Sequence, residues 1–136
     1  MKIDGQCHCG AISFEGEVDT TTFGICHCTD CQSLTGSAFR AIVNIAADKF
    51  MLRGEPKTYV KTAEQSKNRS LSAFCSNCGS PIYSCAAVEK PQVYRVRLGI
   101  VRQRSQFSPR SQIWKESAFH WVNSLADVPS FDANPT

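Results

Sequence analysis

Three of the chain's eight cysteines fall within six positions, in Cys26-His27-Cys28-Thr29-Asp30-Cys31, and four more stand in close pairs, Cys7-His8-Cys9 and Cys75-Ser76-Asn77-Cys78. The last, Cys85, is alone in Pro81-Ile82-Tyr83-Ser84-Cys85. A C-x-x-C pair in a tight turn sets two sulfurs at the separation one tetrahedral Zn²⁺ needs, with Zn–S near ~2.3 Å, and a C-x-C pair does so if its middle residue bulges out. Cys28 belongs to both kinds of pair, so Cys26, Cys28 and Cys31 read as three ligands of one metal. Cys7, Cys9, Cys75 and Cys78 together supply four thiolates and tie two distant segments. The expectation is two unlike zinc ions per chain. One is structural and closed, and the other is a working zinc with an open fourth position.

Other arrangements use the same cysteines. They are a disulfide framework, an iron–sulfur site, or two structural zinc sites with the trio closed by Cys85, His27 or another side chain. Cys85 lies in a strand-like run and reads as a small buried hydrophobe. His8 and His27 each lie between two candidate ligands, and in an extended chain they point away from the neighbouring sulfurs. That suits a supporting or exposed role better than ligation.

Three thiolates make zinc a weaker Lewis acid than three histidines do, so an ionised zinc-bound water is the less favoured nucleophile. A thiol that coordinates zinc is deprotonated outright, which suits capture of a substrate thiol. Addition of that sulfur to an aldehyde, or the reverse release, then needs a proton donor. His27 is near but directed away, and the acid is unassigned. An open three-thiolate zinc suits an enzyme acting on a small thiol adduct. The alternative is a non-enzymatic, zinc-stabilised binding module that uses the basic segment from 90 to 115 on an acidic partner.

The elements that must position these residues show a period of two. Ile12, Phe14 and Val18 share one parity, as do Phe39, Ala41, Val43 and Ile45, and again Tyr94, Val96 and Leu98. Period two means strands with one face in a core, and the fold class is mainly β. Thr29 is placed to cap a short helical turn over residues 29–34, and Ser117 another over 117–122. The 136 residues suit a single domain, 1–136, with a loose tail from about 129.

The start, Met1-Lys2-Ile3-Asp4-Gly5-Gln6-Cys7, has no basic and then apolar leader, and the longest apolar run, from 41 to 47, is too short to cross a bilayer. The expectation is a cytoplasmic protein with no membrane contact, where clustered cysteines are metal ligands or catalysts more often than bridges. The formal net charge of +3 counts cysteine as neutral. A four-thiolate zinc carries −2 and a three-thiolate zinc −1, which together cancel it, so global charge gives no argument for nucleic acid. Lys90, Arg95, Arg97, Arg102, Arg104, Arg110 and Lys115 form a basic segment without an acidic residue. It reads first as the solvated face of an edge strand and loop, second as a binder of an acidic small molecule, and last as a nucleic-acid contact.

The order C-x-C, then C-H-C-x-x-C, then Phe74-Cys75-x-x-Cys78-Gly79-Ser80 resembles the glutathione-dependent formaldehyde-activating enzyme family, which includes centromere protein V. The resemblance starts at Gly5-Gln6-Cys7-His8-Cys9-Gly10 and continues through Cys31-Gln32-Ser33-Leu34-Thr35-Gly36 to the region around Trp114. It implies a curved, single-domain β-tent stapled by zinc, with Cys7, Cys9, Cys75 and Cys78 as structural ligands and Cys26, Cys28 and Cys31 as catalytic ones. It also implies the carbon–sulfur lyase or synthase class, with chemistry that joins formaldehyde and glutathione into S-hydroxymethylglutathione and with glutathione or an adduct of it as partner. The chain departs from the family pattern at Arg102 and Arg104, where an acidic residue is common, and at Gln112-Ile113, where a His-Ile step is common.

Overall fold

The computed structural model describes residues 1–61 and 69–135, which form a mainly β fold of two sheets. Strands β1 (Lys2–Gln6), β2 (Ser13–Glu17) and β5 (Phe50–Arg53) make a three-stranded antiparallel sheet in the order β1-β2-β5. The second sheet contains β3 (Gly24–Cys26), β4 (Arg40–Ala46), β6 (Lys57–Lys61), β7 (Ser70–Phe74), β8 (Pro81–Ala86), β9 (Val93–Arg97) and β10 (Ser111–Ile113). Its order is β10-β3-β4-β9-β8-β7-β6, and the β10–β3 pair alone is parallel. No helix among the described residues is long and apolar enough to cross a membrane.

The alternating apolar residues fill the space between the sheets. Ile3 and Phe14 from the small sheet meet Val43, Ile45 and Val96 from the large one, with Val18, Phe23 and Val101 closing the cluster. Each of these side chains is at least 97% buried. At about 25 cal/mol per Å² of apolar surface removed from water, such burial is the main force holding the sheets together.

Register then decides what the opposite face of the large sheet carries. Val43 lies opposite Val96, and Tyr83 lies opposite Val96 from the other side, so all three point into the core. Their neighbours point the other way. Ile42 is paired with Arg97, Asn44 with Arg95, and Ser84 with both Arg95 and Ser72. Farther along the same face stand Cys26 opposite Arg40, and Lys61 opposite Ser70. The outer face of the seven-stranded sheet therefore gathers arginine, serine, lysine and a cysteine of the trio.

Two expectations are corrected here. β9 is an interior strand between β4 and β8, and Arg97 is only 6% exposed, so Arg95 and Arg97 are not on the solvated face of an edge strand. The single α-helix among the described residues, α1 (Thr29–Thr35), is capped by Cys28 Sγ, which accepts the Cys31 N–H at 3.3 Å, and not by Thr29. Sulfur wins because the cap must lie outside the helix with extended backbone, and Cys28 has φ −63°, ψ 155°. Near Ser117 the chain makes separate 3₁₀ turns, Lys115–Ser117 and Val122–Asp127, with no helix over 117–122.

Candidate metal centres

The four thiols of Cys7, Cys9, Cys75 and Cys78 lie within 4.8 Å of one another. Two turns bring them together, one between β1 and β2 and one between β7 and β8, so the cluster links one sheet to the other. Backbone geometry in each turn aims N–H groups at sulfur or at the turn itself. The Ile12 N–H donates to Cys7 Sγ at 3.3 Å, and the Gly79 N–H donates to the Cys75 carbonyl at 2.8 Å. Gly79, at φ 79°, takes the left-handed conformation this turn requires.

The sulfur separations test whether the residues fit a metal. Two ligands of a tetrahedral Zn²⁺ with bonds near ~2.3 Å stand about 3.8 Å apart. Cys7 Sγ and Cys9 Sγ are 3.6 Å apart, and Cys9 Sγ and Cys75 Sγ 3.7 Å. These are edges of a tetrahedron, a better account of four converging thiols than weak S–H···S bonds. The hydroxyl of Ser80, with its backbone N–H, pulls the Cys78 thiol down to about 5. The Asn77 side chain and then the Ala11 backbone lower Cys9. Both shifts favour the thiolate that a metal binds.

Cys26, Cys28 and Cys31 form the second cluster, their thiols also within 4.8 Å of one another. Cys26 ends β3 and is 4% exposed, Cys28 is the helix cap, and Cys31 in the first turn of α1 is 5% exposed. Burial raises the Cys31 thiol, against the lowering influence of Arg40. Burial also acts on Cys28, but bonds from Cys31 and Cys26 and the charge of Arg40 carry it below its ordinary value. The donor set, three soft sulfurs beside positive charge, fits a divalent thiophilic ion such as zinc.

Gln32 fixes the helix that carries this cluster. Its Nε2 donates to the His27 carbonyl at 2.8 Å and to the Ser117 carbonyl at 3.0 Å, tying α1 to the segment after β10. His27 is fully buried, its Nε2 2.7 Å from Gln112 Oε1 and its ring edge-on to Phe39. His8 is exposed. Neither histidine joins a cluster.

A cavity of about 190 Å³ opens beside the trio, lined by Cys26, Cys28 and Cys31 and by Arg40, Arg95 and Lys61. Ser70, Ser72 and Trp114 complete much of its wall. Lys61 is paired with Asp30. Trp114 has φ 56°, ψ 39°, a left-handed conformation that costs a bulky residue energy, and the residue is 57% exposed. A larger hollow of about 660 Å³ lies on the three-stranded sheet among Lys2, Glu15 and Lys49. It contains no cysteine, and the chemistry favours the smaller one.

Cys85 belongs to neither cluster and is 3% exposed. It is adjacent to Ser84 on β8, so the two point to opposite faces, and Ser84 shares the arginines' face. Replacing Cys85 with Ala or Val is therefore expected to leave the metal content of the protein unchanged and to cost about 1 kcal/mol in packing. Metal analysis alongside a thermal melt checks this. Loss of one metal equivalent would put Cys85 among the ligands.

Sequence reading missed Arg40 and Ser84. Arg40 Nη1, Arg95 Nε and Arg97 Nη1 all donate to the one Ser84 hydroxyl, at 3.3, 3.3 and 3.2 Å. Burial, and then the charge of Arg40, lowers Arg97 to about 10 and lowers Arg95 in the same direction. The expected basic surface from 90 to 115 is divided. Arg95 and Arg97 face the trio's side of the sheet, whereas Arg102 pairs with Asp4 at 3.2 Å and shares a separate hollow with Arg104.

Comparison with known proteins gives the family and a likeness of fold. A protein of Halomonas elongata, carried under the provisional name of glutathione-dependent formaldehyde-activating enzyme, is 32% identical over 88 residues, 61% of this chain and 55% of the relative. The chain thus spans little more than half of that relative's length. A crystal structure of a Rhodobacter sphaeroides protein superposes with a TM-score of 0.61 at 20% identity, covering 80% of this chain and 98% of that one, which is a likeness of fold. The family profile described as glutathione-dependent formaldehyde-activating enzyme matches residues 2–117. By that match, over nearly its whole length, the chain belongs to the glutathione-dependent formaldehyde-activating enzyme family.

Proposed function

We propose that the protein is a zinc-dependent carbon–sulfur lyase or synthase that joins a small thiol to an aldehyde and releases it again, in the manner of S-hydroxymethylglutathione formation from glutathione and formaldehyde. Cys7, Cys9, Cys75 and Cys78 hold a structural zinc in this reading, and Cys26, Cys28 and Cys31 the working one. One observation carries it: three converging thiols border a cavity, with no fourth cysteine sulfur beside them among the described residues. The family's description, which names both glutathione and formaldehyde, supports the same chemistry.

Zinc held by Cys26, Cys28 and Cys31 would supply a thiophilic cation that keeps a substrate thiol ionised at neutral pH. The chain's own residues do the rest. Cys28 is held by the start of α1, and Gln32 anchors that helix, so the cluster's geometry is set before a ligand arrives. Sulfur's electron pair forms the new bond to the carbonyl carbon, the C=O π pair moves to oxygen, and that oxygen takes a proton. Lys61, Ser70 and Ser72 on the cavity wall offer donors to the oxygen as it gains charge. His27, buried with its Nε2 2.7 Å from Gln112 Oε1, is not among the cavity residues, and this reading gives it no part in the proton transfer.

Substitution of Co²⁺ for zinc tests the open position. Thiolate-to-cobalt charge-transfer absorption is expected to rise when a small thiol is added. Absorption that ignores millimolar thiol, while Cys31→Ser still changes the spectrum, means the trio's metal is closed, and the reading fails.

A further inference from the structure

Three guanidinium groups stand together without a carboxylate. Among the described residues the ion pairs are Arg53 with Glu15, Lys61 with Asp30 and Arg102 with Asp4, and none engages Arg40, Arg95 or Arg97. Their shared acceptor is inadequate. The Ser84 hydroxyl has two lone pairs and receives three cationic donors, and the one further acceptor among the described residues, the Arg95 carbonyl, takes only Arg97 Nη1, at 3.4 Å. Arg40 Nε and Arg97 Nε are buried with no acceptor among the described residues, and Arg97 is 94% buried by its 6% exposure. Unpartnered buried donors on charged groups are costly, and like charges so close repel, so the cluster is unfavourable unless something anionic completes it.

The thiolates do not suffice as that anion. Three of them around one divalent ion leave a single negative charge against three positive ones. Arg40 and Arg95 line the cavity that also contains Cys26, Cys28 and Cys31, while Arg97 stands behind them through Ser84. With a volume of about 190 Å³, the cavity places both features within reach of one small molecule.

We propose that Arg40 and Arg95, backed by Arg97, form an anion subsite that takes a carboxylate of the same small molecule whose thiol enters the three-cysteine cluster. The proposal rests on the reading of the trio as an open thiol site, and it adds the second point of recognition. Arginine suits this task because its planar fork matches a carboxylate with two parallel hydrogen bonds. The ligand class is then a mercaptocarboxylate, in which one group is held as sulfur and the other as an oxyanion.

The test uses the metal-replete full chain with ¹⁵N-labelled arginine, and follows the Nε–H resonances of Arg40, Arg95 and Arg97 alongside the Co²⁺ spectrum. Propionate, which has no thiol, is expected to shift these resonances more than propionamide does, while leaving those of Arg53 and Arg102 in place. 3-Mercaptopropionate is expected to change the Co²⁺ spectrum at a concentration at least about tenfold below that needed for 2-mercaptoethanol. Arg95→Gln should remove that advantage without lessening the response to 2-mercaptoethanol. If both thiols act equally on cobalt and propionate moves none of the three resonances, the subsite is wrong and the thiol site stands. If propionate moves them while no thiol changes the cobalt spectrum, the subsite stands and the thiol site is wrong. Should Arg95→Gln fail to fold, the propionate shifts and the two-thiol comparison on the unaltered chain still decide.

Discussion

Cys78→Ser is expected to leave the protein unfolded or insoluble, and Cys31→Ser to leave it folded. The four-cysteine cluster joins a turn of the small sheet to a turn of the large one, and Cys7 and Cys75 are packed with Ile12 and Ile82 in a buried knot of their own. A structural zinc in such a place contributes folding free energy on the order of 10 kcal/mol. A whole domain is stable by only ~5–15 kcal/mol, so losing that ion consumes most of the margin. The trio differs in what it connects. Cys26, Cys28 and Cys31 lie within six positions, and α1 is already anchored by Gln32 to the His27 and Ser117 carbonyls. Circular dichroism melts of the two variants, with metal analysis of each, decide the matter. Equal thermal stability would remove the distinction between a structural and a working site.

The second large effect is on exchange chemistry. In a mixture of ¹³C-formaldehyde and glutathione, the zinc-loaded protein is expected to speed interconversion of free aldehyde and S-hydroxymethyl adduct, as read by ¹³C exchange spectroscopy. Cys31→Ser should lower that acceleration on the order of 100-fold or more, because one of three first ligands is replaced by a poorer one and the helix turn that carries it is otherwise intact. Unchanged acceleration in a folded Cys31→Ser protein would mean the trio is not where the reaction occurs.

Much of the fold was legible because burial follows parity. Ile12, Phe14 and Val18, and likewise Val43 and Ile45, are all buried as their spacing requires. The cysteine groups were legible because C-x-C and C-x-x-C constrain sulfurs locally, and the two sets of thiols do converge. Strand order was not legible, and it changes what a residue means. The alternation of Arg95, Val96 and Arg97 looks the same in an edge strand as in β9, which is hydrogen-bonded on both sides. Arg40 and Ser84 gave no signal, since neither is near Arg95 in sequence and only the pairing of β3, β4, β9 and β8 brings them together. The helix cap was misjudged by one residue because a cysteine sulfur, a weak acceptor in general, is placed by the Cys28-x-x-Cys31 turn where a hydroxyl usually serves.

The central claim is that one metal site is closed and the other open, and the average sulfur count around zinc measures this directly. X-ray absorption at the zinc edge on protein carrying two zinc ions per chain is expected to give about 3.5 sulfurs per zinc, rising to about 4 when a small thiol is added. A value of about 4 before any thiol is present, with no change afterwards, would contradict the account.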